Sequence, residues 1–176
     1  YENIDVKVEA FQKMDAVAKP GAILASNTSG LAVDKMAAAT KRPESVFGLH
    51  FFSPANVMRL LDIVRGADTS KETIATSMKL GRTLNKIAVL SGNAPGFIGN
   101  RMLGGYTRQA GEIILQGATP YQVDNALLQF GMPMGPFQMN DLVGLDLGWR
   151  ARKLGGMKPE DVPITARVAD KLCEMD

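Results

Sequence analysis

The residues best suited to chemistry cluster around the single histidine of the chain. His50 ends an apolar, strand-like stretch and is followed by a Ser-Pro turn, in the run GLHFFSP. Asp62 lies twelve residues later, and Ser29 lies twenty-one residues earlier in the polar cluster 26–29. An imidazole within reach of a carboxylate and a hydroxyl can take up and return a proton near neutral pH. The spacing therefore favours acid/base chemistry, although a lone histidine among apolar residues is also common as a hydrogen-bonded core residue.

Hydrophobic periodicity predicts the elements that position these residues. We expect helices at residues 3–18, 33–40 and 70–84, and strands at residues 22–26, 46–52, 60–64 and 87–90. Ser70 is the predicted N-cap of the third helix. Strands that alternate with helices indicate a mostly parallel sheet of the βαβ type.

The alternation stops at residues 91–93 (SGN), and the remaining sequence has helical patterns. Pro95 suits the first turn of a helix and Gly117 its end. Residues 119–122 (TPYQ) have capping-box spacing, and Gly131 closes the helix that they begin. Glycines and a proline delimit three further helices: the first two end at residues 144 and 155–156, and the last spans residues 163–175.

These patterns predict two domains with a boundary near Gly92. The first, residues 1–92, is an α/β domain, and the second, residues 93–176, is helical. The chain opens on Tyr1 at a helix entry and stops inside a helical pattern at Asp176. Both ends therefore suggest a fragment of a longer protein.

The overall composition excludes several classes of protein. The net charge is +2, from 20 basic and 18 acidic residues, which gives no electrostatic footprint for nucleic acid. One cysteine, Cys173, excludes an internal disulfide, and with one histidine it cannot form an ordinary zinc site. No apolar run approaches the roughly 20 residues that span a bilayer, and no signal peptide opens the chain.

Four motifs occur in order: residues 26–29 (SNTS), 50–58 (HFFSPANVM), 94–101 (APGFIGNR) and 133–137 (PMGPF). Together they make the chain similar to the 3-hydroxyacyl-CoA dehydrogenases, and more closely to the dehydrogenase part of multifunctional fatty-acid oxidation enzymes. The resemblance implies an α/β fold, in which the C-terminal half of a Rossmann-like parallel-sheet domain precedes an all-α 3-hydroxyacyl-CoA dehydrogenase C-terminal domain. It also implies the interconversion of (S)-3-hydroxyacyl-CoA and 3-ketoacyl-CoA with NAD(H) in β-oxidation.

The resemblance assigns roles to four residues. His50 matches the acid/base of the family, and Asp62 matches the acid that orients it. Ser29 matches the serine that hydrogen-bonds the 3-oxygen of the substrate, and Asn100 matches the asparagine that positions the substrate and polarises that oxygen. Each also has a plainer interpretation: Asp62 as a strand-end acid, Ser29 as a loop cap and Asn100 as a polar helix residue.

Asp62 is the main departure from the pattern of the family, which normally has Glu at this position. The carboxylate of Asp is one methylene, about 1.5 Å, nearer to its own backbone. Misplacement by about 1 Å can cost on the order of 100-fold in rate. We therefore expect the His50–Asp62 contact to be weakened, bridged by water or rescued by a backbone shift.

The resemblance places the nicotinamide side of NAD against five residues: Glu2, Lys7, Asn27, Ser29 and Ser53. Ser53 stands where the family often has Asn. The chain lacks the G-x-G-x-x-G loop that binds the pyrophosphate, since Gly99, Gly104 and Gly105 have the wrong spacing. If that loop lies upstream of this sequence, the chain by itself binds NAD poorly or not at all and is inactive.

The expected partners are an acyl-CoA substrate and either a second protomer or other domains of a multifunctional chain, without nucleic acid, metal or membrane span. The expected compartment is the cytoplasm in a bacterium, and the peroxisome or mitochondrion in a eukaryote. Two alternatives remain. One is a non-catalytic, crystallin-like relative. The other, a 3-hydroxyisobutyrate-type dehydrogenase, is disfavoured because such enzymes rely on a catalytic lysine.

Overall fold

The fold is that of a computed structural model, which describes residues 2–175 except for the side chain of Leu154. Tyr1 and Asp176 lie outside the described residues. The chain divides into two units, of which the first ends at Met102 and the second begins at Leu103.

The first unit contains three helices and four strands: α1 (Ile4–Val17), β1 (Leu24–Ser26), α2 (Val33–Ala38), β2 (Val46–Phe51), β3 (Leu60–Arg65), α3 (Lys71–Thr83) and β4 (Ile87–Gly92). The division between the units falls within α4 (Gly99–Leu115), and the second unit continues with α5 (Pro120–Phe130), α6 (Pro136–Val143), α7 (Asp146–Leu154) and α8 (Ile164–Cys173). A mixed α/β unit followed by a helical unit confirms the predicted fold class.

The four strands form one sheet in the order β1-β2-β3-β4. β1 pairs with β2 and β3 pairs with β4 in parallel, whereas β2 and β3 are antiparallel. The antiparallel pair departs from simple βαβ alternation because only residues 52–59 join its strands. A parallel crossover needs a dozen or more residues. The carboxyl ends of β1 and β2 consequently meet the amino ends of β3 and β4 at one end of the sheet.

Helices of the first unit cover both faces of this sheet. Successive residues of a strand point to opposite faces. On one face, Val46 and Val64 pack in a cluster with Phe11 of α1 and Met36 of α2. On the other face, a second buried cluster consists of Phe47, Leu61 and Ile63, against which Met78 of α3 packs. His50 and Asp62 fall on the first face, because their positions have the parity of Val46 and Val64.

The start of α4 differs from the sequence prediction. Pro95 lies in a turn rather than in the first helical turn, and the helix begins at Gly99. The reason is the backbone of Gly96 and Phe97, whose φ angles of 72° and 49° are left-handed. A right-handed helix cannot continue through such residues. Phe97 belongs to the buried cluster on the α1 and α2 face, so residues 93–102 form part of the sheet unit. The boundary near Gly92 stays a prediction.

The helix caps predicted at Ser70, Thr119 and Gly131 agree with the structure. Ser70 caps α3 by accepting the Thr73 N–H, as predicted. Thr119 and Gln122 form the predicted capping box of α5, and Gly131 ends that helix with a φ of 111°. Within the second unit, an ion pair between Arg152 and Asp170 joins α7 to α8. None of the helices in residues 2–175 is long and apolar enough to cross a membrane.

The close packing of the sheet predicts a strong effect at Gly48. A Cβ there would lie 2.8 Å from Val64 Cβ and 3.2 Å from Val33 Cγ2. We expect Gly48→Ala to lower the free energy of unfolding by about 1–3 kcal/mol, because neither neighbour is the end of a flexible side chain. Gly92→Ala is the matched control, since nothing lies within 4 Å of its Cβ position. Urea unfolding of both variants checks the prediction, which equal losses would contradict.

Candidate active site

The site is built on the antiparallel pairing of β2 and β3. His50 and Asp62 are directly opposite each other in this register. Their side chains meet, with His50 Nδ1 3.1 Å from Asp62 Oδ2. Both are buried: His50 is 5% exposed and Asp62 is fully covered. The strand pairing therefore forms a buried imidazole–carboxylate pair from residues twelve positions apart.

The register also explains how the shorter acid reaches the histidine. Residues directly opposite in an antiparallel pair have Cβ atoms about 4.5–5.5 Å apart. An Asp side chain spans that gap without a bridging water. The contact at 3.1 Å is direct, so no water is needed to bridge the two side chains.

The second carboxylate oxygen of Asp62 has no such contact. Oδ1 is buried and lacks a hydrogen-bond partner within residues 2–175. A buried polar atom without a partner costs about 1–3 kcal/mol, and more if it is charged. The imidazole of His50 is thus the only hydrogen-bonding group of the described chain that contacts this carboxylate.

Two phenylalanines hold the imidazole ring. The centroid of Phe52 lies 4.5 Å and that of Phe97 lies 5.6 Å from the centroid of His50, both in tilted arrangements. Tilted aromatic contacts at these distances are favourable and restrict rotation of the ring. With Nδ1 directed at Asp62, Nε2 is the ring nitrogen that this contact does not use.

The loop after β1 is organised by Thr28, which is fully buried. Its hydroxyl donates a hydrogen bond to Glu2 Oε1 and accepts the N–H groups of Leu31 at 2.9 Å and Gly30 at 3.3 Å. Glu2 Oε1 also accepts the Ser29 N–H at 2.8 Å. These bonds set the path of the loop backbone through Ser29.

Ser29 and Asn100 come together at this loop. Asn100, in the first turn of α4, donates from Nδ2 to the backbone oxygen of Ser29 at 3.3 Å. The Ser29 residue is exposed. Asn27 ties the same loop to β2, because its Oδ1 accepts the Phe51 N–H at 3.0 Å. The residues predicted from the polar cluster thus lie near the carboxyl end of β2, which contains His50.

The remaining predicted residues lie around the same end of the sheet. Glu2 and Lys7 form an ion pair, with Lys7 Nζ 3.6 Å from Glu2 Oε2. Ser53 is exposed in the loop after β2. In open α/β sheets, ligands bind outside the carboxyl ends of the strands. The described residues contain no group of three or more His, Cys, Asp or Glu side chains placed to hold a metal ion.

Sequence reasoning gave no role to several residues that organise this region: Asp34, Phe52, Thr28, Asn93 and Phe97. Thr28 stands inside the quoted SNTS motif, but nothing in the local pattern shows that its hydroxyl points inward. The contact of Phe97 with His50 depends on the left-handed turn before α4, which the sequence pattern did not predict.

Two family models match the chain. Residues 1–94 match the 3-hydroxyacyl-CoA dehydrogenase NAD binding domain, and residues 96–176 match the 3-hydroxyacyl-CoA dehydrogenase C-terminal domain. The chain therefore belongs to the 3-hydroxyacyl-CoA dehydrogenase family, an NAD-dependent class of oxidoreductase, as the four motifs predicted.

Curated relatives and solved structures agree with this assignment. The chain is 49% identical to the peroxisomal bifunctional enzyme of Danio rerio and 45% identical to that of Homo sapiens, and these matches cover 98% and 99% of the chain. It spans only about a quarter of the length of these relatives, 25% and 26%. The crystal structure of (S)-3-hydroxybutyryl-CoA dehydrogenase from Ralstonia eutropha matches with a TM-score of 0.85 and 32% identity, over 99% of this chain and 63% of that one.

The buried hydroxyl of Thr28 yields a stability prediction. We expect Thr28→Val to lower the free energy of unfolding by about 1–3 kcal/mol, because valine keeps the shape but leaves the loop N–H groups without their acceptor. Thr28→Ser is the control, since serine keeps the hydroxyl and should cost less. Urea unfolding of the two variants measures the difference. If serine is as destabilising as valine, the hydrogen bonds are not what holds the loop.

Proposed function

We propose that the intact protein interconverts (S)-3-hydroxyacyl-CoA and 3-ketoacyl-CoA, with His50 as the catalytic acid/base. The observation that carries this proposal is the buried contact between His50 Nδ1 and Asp62 Oδ2 at 3.1 Å. This contact leaves Nε2 for the substrate, in a chain that belongs to the 3-hydroxyacyl-CoA dehydrogenase family. Because the chain spans about a quarter of its curated relatives, the activity is proposed for the longer protein.

His50 moves the proton of the reaction. In the oxidation direction, Nε2 accepts the proton of the 3-hydroxyl group as a hydride leaves the same carbon. In the reduction direction, the protonated ring returns the proton to the ketone oxygen. An imidazole serves both directions because it titrates near neutral pH.

Asp62 orients the ring and stabilises its charged form. A carboxylate on Nδ1 fixes the tautomer in which Nε2 can accept a proton. When Nε2 takes that proton, the imidazolium gains a direct contact with the carboxylate. Since Asp62 Oδ1 has no other partner in the described chain, the ring of His50 is the hydrogen-bonding group on which the carboxylate acts.

Ser29 and Asn100 are proposed to contact the substrate oxygen. A hydroxyl can donate to the ketone or accept from the alcohol, so Ser29 suits a reversible reaction. The Asn100 amide reaches the backbone oxygen of Ser29, which supports a shared site for the two side chains. An amide N–H that reaches the substrate would polarise its carbonyl.

The residues present fit the nicotinamide end of NAD. When bound, NAD⁺ supplies the hydride acceptor and NADH the hydride donor. The amide of Asn27 and the hydroxyls of Ser29 and Ser53 provide donors and acceptors of the kind a carboxamide needs. We propose that they line this end of the cofactor, with the Glu2–Lys7 ion pair beside them. The pyrophosphate end needs a glycine-rich loop, which this sequence does not contain.

We further propose that the segment works beside other domains of a multifunctional peroxisomal chain. Support comes from the relatives named peroxisomal bifunctional enzyme. Imaging and mass measurement of the tagged intact protein distinguish this setting from a bacterial cytoplasmic enzyme or a simple homodimer.

The central test is acetoacetyl-CoA-dependent oxidation of NADH by the intact protein, followed at 340 nm. We expect turnover that falls about 10²–10⁴-fold in His50→Gln, because glutamine cannot exchange a proton at this pH. The KM for NADH should change little. An intact protein that binds NADH but shows no turnover above background would favour the non-catalytic, crystallin-like alternative.

Asp62 offers a second test with a matched pair of substitutions. Asp62→Asn should lower the turnover number on the order of 100-fold or more, because the amide cannot stabilise an imidazolium and favours the wrong tautomer. Asp62→Glu should keep or raise the turnover number, because it restores the usual acid of the family. Steady-state kinetics of both variants check this. A drop of tenfold or more in the Glu variant would show that the pocket is built around the shorter acid.

A further inference from the structure

Two polar side chains outside the proposed catalytic set, Asp34 and Asn93, bind each other near the site. Asn93 Nδ2 donates to Asp34 Oδ2 at 2.6 Å. The other oxygen of each side chain accepts a backbone N–H: Asn93 Oδ1 from Val33 at 3.0 Å, and Asp34 Oδ1 from Ala67 at 2.8 Å. The pair therefore joins the start of α2, the loop after β3 and the segment after β4.

The segment after β4, residues 93–98, is here called the β4–α4 connection. It contains Phe97, which is 2% exposed and has a left-handed φ of 49°. A bulky residue rarely adopts this backbone conformation unless surrounding contacts impose it. Asn93, at the start of the connection, is the side chain that fixes it to α2.

The β4–α4 connection lies directly against the proposed catalytic residues. The Phe97 ring is 5.6 Å from the ring of His50. A Cβ on Gly30, next to Ser29, would lie 3.3 Å from the backbone nitrogen of Gly96, so the loop after β1 approaches the connection closely.

The helix that follows the connection makes two more such contacts. A Cβ on Gly99 would lie 2.4 Å from Phe52 Cζ, so glycine there leaves room for the ring that packs on His50. Asn100 then donates to the Ser29 backbone oxygen. A shift of the connection would consequently disturb both the imidazole and the substrate-binding loop.

We propose that Asp34 and Asn93 are a positioning pair for the reaction. They hold the β4–α4 connection in the place where Phe97 restrains His50 and Asn100 meets Ser29. Neither side chain touches the reacting groups, so their effect passes through the connection. This inference rests on the proposed dehydrogenase function.

The donor and acceptor pattern of the pair allows a swap experiment in the intact enzyme. Asn93→Asp places a second carboxylate against Asp34, and Asp34→Asn places two amide donors against each other. The double variant Asp34→Asn/Asn93→Asp can remake every bond with the roles exchanged. Asn at 34 would donate to Asp at 93, and each would still accept its backbone N–H.

Asp15→Asn is the matched control in the same unit. Asp15 accepts the Lys41 N–H at 2.8 Å and pairs with Arg42 Nε at 2.5 Å. This substitution therefore also replaces a carboxylate that accepts a backbone N–H, as Asp34 does. Its contacts join the end of α1 to the segment before β2 and involve none of the proposed catalytic residues.

We expect each single variant of the pair to lose at least about tenfold in turnover number, because a misplacement of catalytic groups by a fraction of an ångström has an effect of this size. The KM for NADH should stay within about twofold of the parent value. The swapped double variant should recover to within about threefold of the parent. The control should keep its turnover number even if its thermal unfolding midpoint falls.

Three outcomes would overturn the inference: single variants with turnover within twofold of the parent, a folded swap variant no better than the single variants, or equal losses in the control. If a single variant does not fold, the swap variant decides alone, through its turnover number. A parent enzyme without turnover would instead refute the proposed function. Failure of the positioning role alone would leave parent turnover intact.

Discussion

The antiparallel pairing of β2 and β3 is the constraint on which the proposed site depends. It sets His50 opposite Asp62 and brings their side chains into direct contact. Had the two strands been joined by a helical crossover, they would be parallel and the pairing partners would differ. A register shift by one residue would turn one of the two side chains to the other face of the sheet.

Burial gives this contact its chemical significance. Helices cover both faces of the sheet, and Asp62 has no exposure to solvent. In such surroundings a carboxylate depends on protein groups for its hydrogen bonds. One oxygen of Asp62 contacts His50, and the other has no hydrogen-bond partner in the described chain. The arrangement fixes the orientation of the imidazole, which a positioned acid/base needs.

The other groups reach the site through the loops after β1 and after β4, two strands that run in opposite directions in the sheet. Thr28 organises the loop that displays Ser29, and the β4–α4 connection supplies Phe97 and then Asn100. The loop after β1 is held by side chains that bond to its backbone, and the β4–α4 connection is held by its Asn93 side chain. The strands thus provide the fixed pair, while hydrogen-bonded loops place the groups proposed to meet substrate and cofactor.

Local signals in the sequence determined the helices, the strands and the caps at Ser70 and Thr119, because these depend on neighbours within a few residues. Four short motifs determined the family in the same way. Only the tertiary structure decided the antiparallel pairing, the direct reach of Asp62, the inward hydroxyl of Thr28 and the left-handed turn at Phe97. Each of these depends on contacts between residues far apart in the chain. Periodicity cannot encode such contacts, since it records which residues are apolar and not which segments lie side by side.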